Sequence, residues 1–397
     1  MPNDGQPGAG PGLAEILSHF DIYDPAAPGL INAVAHEAHQ RCPVAYSDAH
    51  GGYYLVVGYD EAATVLSDTE RFSSRCPKSI PGRQMLDMPP LDADPPEQRE
   101  YRRLLNRFFS KAGLARHEPA IRDIARSLVE SFADAGRAEI IDDFAGPLTG
   151  MALCRVILNL SDPVLMQEAS ERVEKISTGN TPEAWAELSG FLRTLIRSHP
   201  PDGGEDVLSA VLSGTVLGAP LTEDEKLGVV IVLFLGGLDT TRAAITCIIH
   251  HLAVNPGLEE RLRAADWTRT DLDEFLRHDS VVSALARTVT VDTELGGQPL
   301  KAGDRLLVHY YAANHDPRKF PDPDTLDFGR GRNPHLAFGL GVHRCLGSNL
   351  ARLQISVALD ELLSRVRNIR LADCAEIEFA PGVARHPVTL PVLFDPC

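Results

Sequence analysis

Residues 222–254 constrain the fold more than any other part of the chain. Thr222-Glu223-Asp224-Glu225 has the form of a capping box, in which the Thr222 hydroxyl accepts from the Glu225 amide and the Glu225 carboxylate reaches back. Behind it the longest apolar run, residues 227–238, is stopped by Asp239; it is too short to cross a bilayer and reads as a buried helix segment. A helix apolar on all sides needs other elements to cover it. Helical periodicity over 120–135, 147–160, 165–177, 183–198 and 205–213 supplies them. Strand-like patterns stand to either side, at 53–57 between Gly51-Gly52 and Gly58, then at 286–292, 294–300 and 304–309, before a proline-rich coil over 316–337. The expected class is mainly α (α+β): dominant helices with small sheets at one side.

The long helix breaks local rules at one point. Phe234-Leu235-Gly236-Gly237-Leu238-Asp239-Thr240-Thr241 places two glycines, an acid and alcohols inside an apolar run. Each glycine costs about 1 kcal/mol relative to alanine, and a carboxylate there needs a partner. Local violations of this kind mark sites. Thr240 is spaced to bond back to the Gly236 carbonyl, which opens or bends a helix. The bland alternative is tight helix packing at Gly236 and Gly237 with Asp239 in an ordinary ion pair. A basic partner is sought in the 165–198 region, at Arg172, Lys175 or Arg193.

Downstream, Phe338-Gly339-Leu340-Gly341-Val342-His343-Arg344-Cys345-Leu346-Gly347 puts one cysteine in a glycine-rich loop that opens a helix. Glycine at 339 and 341 permits backbone angles closed to other residues, and Gly347 permits close packing. The helix, with Leu350, Leu353, Val357 and Leu362 along it, aims amides and its positive dipole end at Cys345, which favours thiolate. A lone cysteine is ordinarily a small buried hydrophobe. Zinc on His335, His343 and Cys345 lacks a fourth ligand at recognisable spacing. Without Cys-x-x-Cys-His, covalent c-type haem attachment is excluded.

The 397 residues contain no low-complexity linker after the first dozen, so residues 1–19 are expected to be a flexible leader and 20–397 one domain. A net charge of −17 argues against nucleic acid or anionic membrane as partner. No signal peptide is legible at the start, and the seven scattered cysteines do not form a disulfide framework, so a cytoplasmic protein with reduced thiols is expected.

Phe-Gly-x-Gly-x-His-Arg-Cys-x-Gly matches the haem-binding loop of the cytochrome P-450 family at every fixed position. The resemblance runs over about residues 20–395 and is nearest the soluble bacterial camphor-hydroxylating branch. It implies haem b with Cys345 as axial thiolate, cradled by Phe338 and Gly347. Asp239 and Thr240 resemble the family's oxygen-activating acid–alcohol pair. Glu274-Phe275-Leu276-Arg277 resembles its Glu-x-x-Arg motif, with Arg330 as third member of a structural network. Arg102, Arg287 and His343 fall at propionate-binding positions, and Gln98 stands where a histidine is usual. The camphor-binding tyrosine falls on Leu86, which removes a polar handle. Leu86, Val232, Leu235, Gly236, Ser283, Val383 and Ala384 are the implied pocket.

The implied activity is a monooxygenase inserting one oxygen atom from O2 into a small hydrophobic substrate, terpenoid-like or aromatic, by hydroxylation or epoxidation. No flavin or iron–sulfur domain is present in the sequence. The resemblance therefore implies a separate [2Fe–2S] ferredoxin with an NAD(P)H-dependent reductase, docking on Arg99, Arg102, Arg103, Arg332, Arg344 and Arg352. A monomer without membrane anchor is expected. Peroxide-using relatives often lack the acid–alcohol pair; the alternative from another class is a catalytically silent haem-thiolate binding or recruitment module.

Overall fold

The computed structural model describes residues 12–82, 86–160, 162–199, 206–264, 268–372 and 376–397. Residues 1–11 of the expected leader, and Cys374, lie outside them. Leu13–Ser18, expected as leader, is instead a helix. Its Leu17 is buried with Phe20, Ile31 and Val34 against the sheet residues Leu55 and Leu307, which gives this segment a reason to fold.

The helix Glu223–Val254 forms as the capping box requires: Thr222 Oγ1 accepts from Glu225 N at 3.2 Å, and Glu225 Oε2 accepts from Thr222 N at 2.7 Å. It is long and apolar enough to cross a membrane by composition, yet it is mostly buried inside the protein. Helices Pro163–Gly179, Pro182–Ser198 and Ser348–Leu363 pack against it. Phe234, Ile245, Ile248, Leu359 and Ile121 share its core. The helix expected over 147–160 begins earlier and is irregular: two π-helical stretches, Ile141–Ala145 and Ala152–Ile157, stand around Gly146–Met151. The second brings Leu153 so close to the central helix that a Cβ on Gly237 would lie 2.9 Å from its Cδ2. Gly237 therefore serves packing, whereas nothing stands within 4 Å of a Cβ built on Gly236.

Five strands form the larger sheet, in the order Val44–Ser47, Tyr53–Val56, Arg305–His309, Ala284–Val289 and Phe72–Ser73. The alternation along Arg305–His309 sends Leu307 to one core and Leu306 and Val308 to another, as a strand buried on both faces requires. A three-stranded sheet joins Val366–Leu371, Pro391–Pro396 and Arg137–Glu139.

The Arg269–Asp279 helix carries the motif expected at Glu274 and Arg277. Arg277 is fully buried, and all five of its N–H donors are used. Nε and Nη2 donate to Glu274 at 3.0 and 2.8 Å, Nη1 to the carbonyls of Asn314 and Pro323 at 3.0 and 2.7 Å, and Nη2 also to Thr325 at 3.0 Å. Arg330 Nε lies 3.3 Å from Glu274 Oε2, and Asn333 Nδ2 donates to the same oxygen at 3.0 Å. The network pins the coil that precedes the cysteine loop to this helix.

Candidate active site

The cysteine loop turns on two glycines with left-handed backbone, Gly339 at φ 64° and Gly341 at φ 69°. Gly341 is doubly constrained, because a Cβ there would meet the Leu66 carbonyl at 2.5 Å; a Cβ on Gly347 would only touch Cys345 Sγ at 3.9 Å, so the crowding expected at 347 falls at 341. Cys345 N donates to Phe338 O at 2.8 Å, closing the loop, and Ser348–Leu363 follows. The sulfur is accessible although protein surrounds it, because it opens into an internal cavity. Burial pushes the Cys345 thiol above its ordinary pKa, against the Gly347 amide and the charges of Arg102, Arg344 and Arg352, which favour thiolate. A cation bound at the sulfur would add to the amide and the arginines in favouring thiolate.

Above Cys345 the same cavity is lined by the central helix, through Val232, Leu235, Gly236, Asp239 and Thr240. Thr240 Oγ1 donates to the Gly236 carbonyl at 2.7 Å, as its spacing requires. The helix nevertheless runs unbroken through these residues, so the opening foreseen there is a missing side chain at Gly236, not a gap in the backbone. Asp239 is buried, and its partner is Arg242 Nη2 at 2.6 Å, one turn along the same helix. This corrects the search in 165–198: Arg172 pairs with Glu168, Lys175 with Glu187 and Arg193 with Asp224. That region does contribute Glu174, whose carboxylate is half exposed and 3.5 Å from Arg242 Nη1. His386, buried and not foreseen, brings Nε2 to 3.9 Å from Asp239 Oδ1. Its Nδ1 faces the Pro387 carbonyl at 2.7 Å, which assigns the hydrogen to Nδ1 and leaves Nε2 an acceptor. Neither His386 Nε2 nor Asp239 Oδ2 has a hydrogen-bond partner among the described residues.

Arg102, Arg287 and His343 all line the cavity, together with a fourth basic residue, Lys78. Burial, then Arg287, Lys78 and Arg102, pushes His343 down to about 3, and burial followed by Arg287 lowers Lys78 to about 8. His343 Nε2 is buried without a hydrogen-bond partner among the described residues. The positive charge of Arg102, Arg287 and Lys78, with His343 beside them as a neutral hydrogen-bonding group, fits the two propionates of a haem whose iron meets Cys345. Gln98 is displaced from that role: it does not line the cavity, and its Nε2 donates to Val342 O at 2.7 Å, while Arg102 Nη1 donates to Arg344 O at 2.8 Å. The helix Glu97–Phe109 thus grips two carbonyls of the cysteine loop.

Two expected pocket residues do not line the cavity. Ser283 spends its hydroxyl on the carbonyls of Gly382 and Val383 at 2.7 and 3.0 Å, and half-buried Leu86 packs against the helical core. Val383 and Ala384 do line it. So does a polar group not foreseen, centred on buried Asn180. Trp185 Nε1 donates to its Oδ1 at 3.0 Å, and its Nδ2 faces Tyr23 OH at 3.1 Å and Ser79 Oγ at 3.4 Å. Asn180 caps the Pro163–Gly179 helix in a left-handed conformation, a position asparagine tolerates, and that turn was the available sequence signal.

The arginines expected on one surface separate. Arg99, Arg103, Arg332 and Arg344 are exposed, with Arg103 paired to Glu100. Arg102 faces the cavity. Arg352 is buried, bound to Asp273 at 2.7 Å and lying 4.4 Å over the Phe338 ring, so it braces the loop from within.

Comparisons with known proteins agree with this geometry. Residues 267–392 match the family model described as Cytochrome P450. The chain is 31% identical to cytochrome P450 109 of Bacillus spizizenii over 94% of its length and 92% of that protein's. It is 32% identical to nocardicin C N-oxygenase of Nocardia uniformis subsp. tsuyamanensis over 94% and 98%. The solved structure of cytochrome P450 CYP101C1 superposes with a TM-score of 0.85 at 28% identity, covering 95% of this chain and 96% of that one. A cysteine opening into a cavity beneath an acid and an alcohol, with buried cations at its edge, thus agrees with similarity along nearly the whole chain: this protein belongs to the cytochrome P450 family and is a haem-thiolate monooxygenase.

Proposed function

We propose that the enzyme hydroxylates or epoxidises a small, mostly apolar substrate carrying one polar group, in the cytoplasm, with electrons from a [2Fe–2S] ferredoxin and its reductase. The single observation that carries this reading is the cavity itself, whose lining brings Cys345 together with Asp239 and Thr240. When bound, haem supplies oxygen activation and Cys345 its axial thiolate, with Arg102, Arg287, His343 and Lys78 holding the propionates.

The protein's own contribution is protons and position. Thr240 keeps its hydroxyl hydrogen on Gly236 O, so its oxygen is turned to accept, and it passes a proton on by switching that bond. Asp239 holds the next proton, with Arg242 and Glu174 leading to solvent and His386 as a second store within one water of its carboxylate. Val232, Leu235, Val383 and Ala384 exclude water and fill around the hydrocarbon. Asn180, Tyr23 and Ser79 give the cavity wall a polar spot in place of the handle absent at Leu86, so the preferred substrate sets its one polar group against that spot. Exposed Arg99, Arg332 and Arg344 supply the positive face for an acidic ferredoxin on an otherwise acidic protein.

Turnover with NADH, a ferredoxin and its reductase, over ligands found by spectral titration, tests the reading. Product carrying one oxygen atom from labelled O2 is expected, with a rate that falls as salt rises. Tight ligand binding with NADH consumption but no oxygenated product from any ligand would favour the silent binding module.

A further inference from the structure

Next to the Glu274–Arg277 network, three side chains meet that the oxygenation chemistry does not use. His251 stands in the last turn of the central helix, and His278 and Asp279 end the Arg269–Asp279 helix. His251 Nε2 lies 2.9 Å from Asp279 Oδ1, and His278 Nδ1 lies 3.3 Å from the same oxygen. All three candidate ligand atoms lie within 4.8 Å of one another. A tetrahedral zinc with bonds of about 2.0–2.2 Å holds its ligand atoms about 3.4 Å apart, so the two measured separations already approximate edges of its coordination sphere.

Hydrogen-bond accounting shows that this cluster calls for a positive centre. His278 Nε2 faces the backbone carbonyl of Asp324 at 3.2 Å. A carbonyl only accepts, so Nε2 carries a hydrogen, and the neutral ring then presents the lone pair of Nδ1 to a carboxylate oxygen. Two acceptors at that distance repel unless a cation lies between them. The Asp324 carbonyl thereby orients His278 as outer partners orient metal-bound histidines. Asp279 is buried, and its Oδ2 has no hydrogen-bond partner among the described residues. His251 and His278 each keep part of their surface exposed, which leaves a route for an ion.

We propose that His251, His278 and Asp279 form a zinc site, with water completing the shell, that clips the end of the central helix to the helix carrying Glu274 and Arg277. The competing occupant is a proton on each histidine. His251 is held above its ordinary pKa, the Asp279 charge and hydrogen bond outweighing burial, which suits either occupant. The mixed His2Asp set suits zinc rather than calcium or magnesium, which take oxygen ligands. The site is independent of the proposed substrate and redox partner.

The test uses the haem-loaded full chain, stripped with a chelator, titrated with zinc chloride and measured by equilibrium dialysis and zinc K-edge X-ray absorption. One zinc per chain is expected, with a nitrogen–oxygen shell at about 2.0–2.1 Å and imidazole scattering beyond it. His251→Gln and His278→Gln, on separate helices, are each expected to weaken binding at least about ten-fold, as loss of a ligand does. No stoichiometric zinc would overturn the proposal and leave protons as the occupants. A sulfur shell at about 2.3 Å would also overturn it, by assigning the metal to cysteines. These two outcomes are read on the wild-type protein, so they stand even if a variant folds poorly.

Discussion

Arg242 Nη2 donates to Asp239 Oδ1 at 2.6 Å from one turn further along the same helix, so the acid and its counter-charge travel on one rigid element. Buried Asp239 is thereby kept beside Thr240 without support from the helices over the cavity. Glu174, on one of those helices, reaches Arg242 rather than Asp239 itself.

Arg242→Gln leaves a buried carboxylate without its cation. Removing one partner of a buried pair costs about 3–5 kcal/mol, and the half-exposed Glu174 lowers this towards the smaller figure. Urea denaturation of the holoprotein checks the loss. Unchanged stability would contradict the role of Arg242 as the counter-charge that Asp239 needs.

Thr240→Ala removes the hydroxyl on Gly236 O while leaving the helix continuous. Substrate binding is expected to be little changed, and hydrogen peroxide to rise at the expense of product, by up to about 10²-fold, the lower end of what a positioned proton donor contributes. Peroxide and product, each measured per NADH consumed, give the answer. Full coupling in the variant contradicts the role given to Thr240.

Glu274→Gln should be among the most damaging single changes. Arg277 is wholly buried and donates twice to Glu274, so the substitution strands a charge at a cost of about 3–5 kcal/mol. The coil before the cysteine loop loses its anchor, and a fall in haem content of purified protein is expected. Normal haem content and stability would place the anchor elsewhere.

His309 makes a prediction in pH. It is buried at the end of a central strand, and its Nδ1 caps the following turn by accepting from Ala312 N at 3.3 Å. Burial, then His39 and Arg385, pushes it down to about 3. The folded value lies below the unfolded one, so the unfolded chain binds the proton first. Stability is full above about 6.5 and declines as pH falls from there towards 3, by up to about 4 kcal/mol from this residue. His309→Asn keeps a cap acceptor and removes the titration. Its unfolding free energy should fall less steeply than wild type between pH 6 and 4.

Much of the site was legible because its chemistry is written in short spacings. The cysteine loop, Glu274 with Arg277, and the Thr240 back-bond each lie within a few consecutive residues. Arg242 obeys the same rule, three residues from Asp239, and the i, i+3 spacing brings the two together on one helix face. His386, Lys78 and Asn180 come from segments remote in sequence, and nothing local distinguishes them from other polar residues before the chain folds. Arg352 was misread because an arginine on an amphipathic helix is ordinarily solvated. Here Asp273 and the Phe338 ring hold it inside. Leu86 shows the limit of counting from a motif: it falls at the right number but packs against the helical core, while the polar lining of the cavity comes from Asn180 and its neighbours.

The central claim is that Cys345 is the axial thiolate of a haem held in this cavity. The most direct measurement is the carbon monoxide difference spectrum of the dithionite-reduced protein, wild type against Cys345→Ser. The red-shifted band of a thiolate–carbonyl complex is expected in the wild type and absent in a variant that still folds. Persistence of that band in Cys345→Ser, or its absence from haem-loaded wild type, would contradict the assignment.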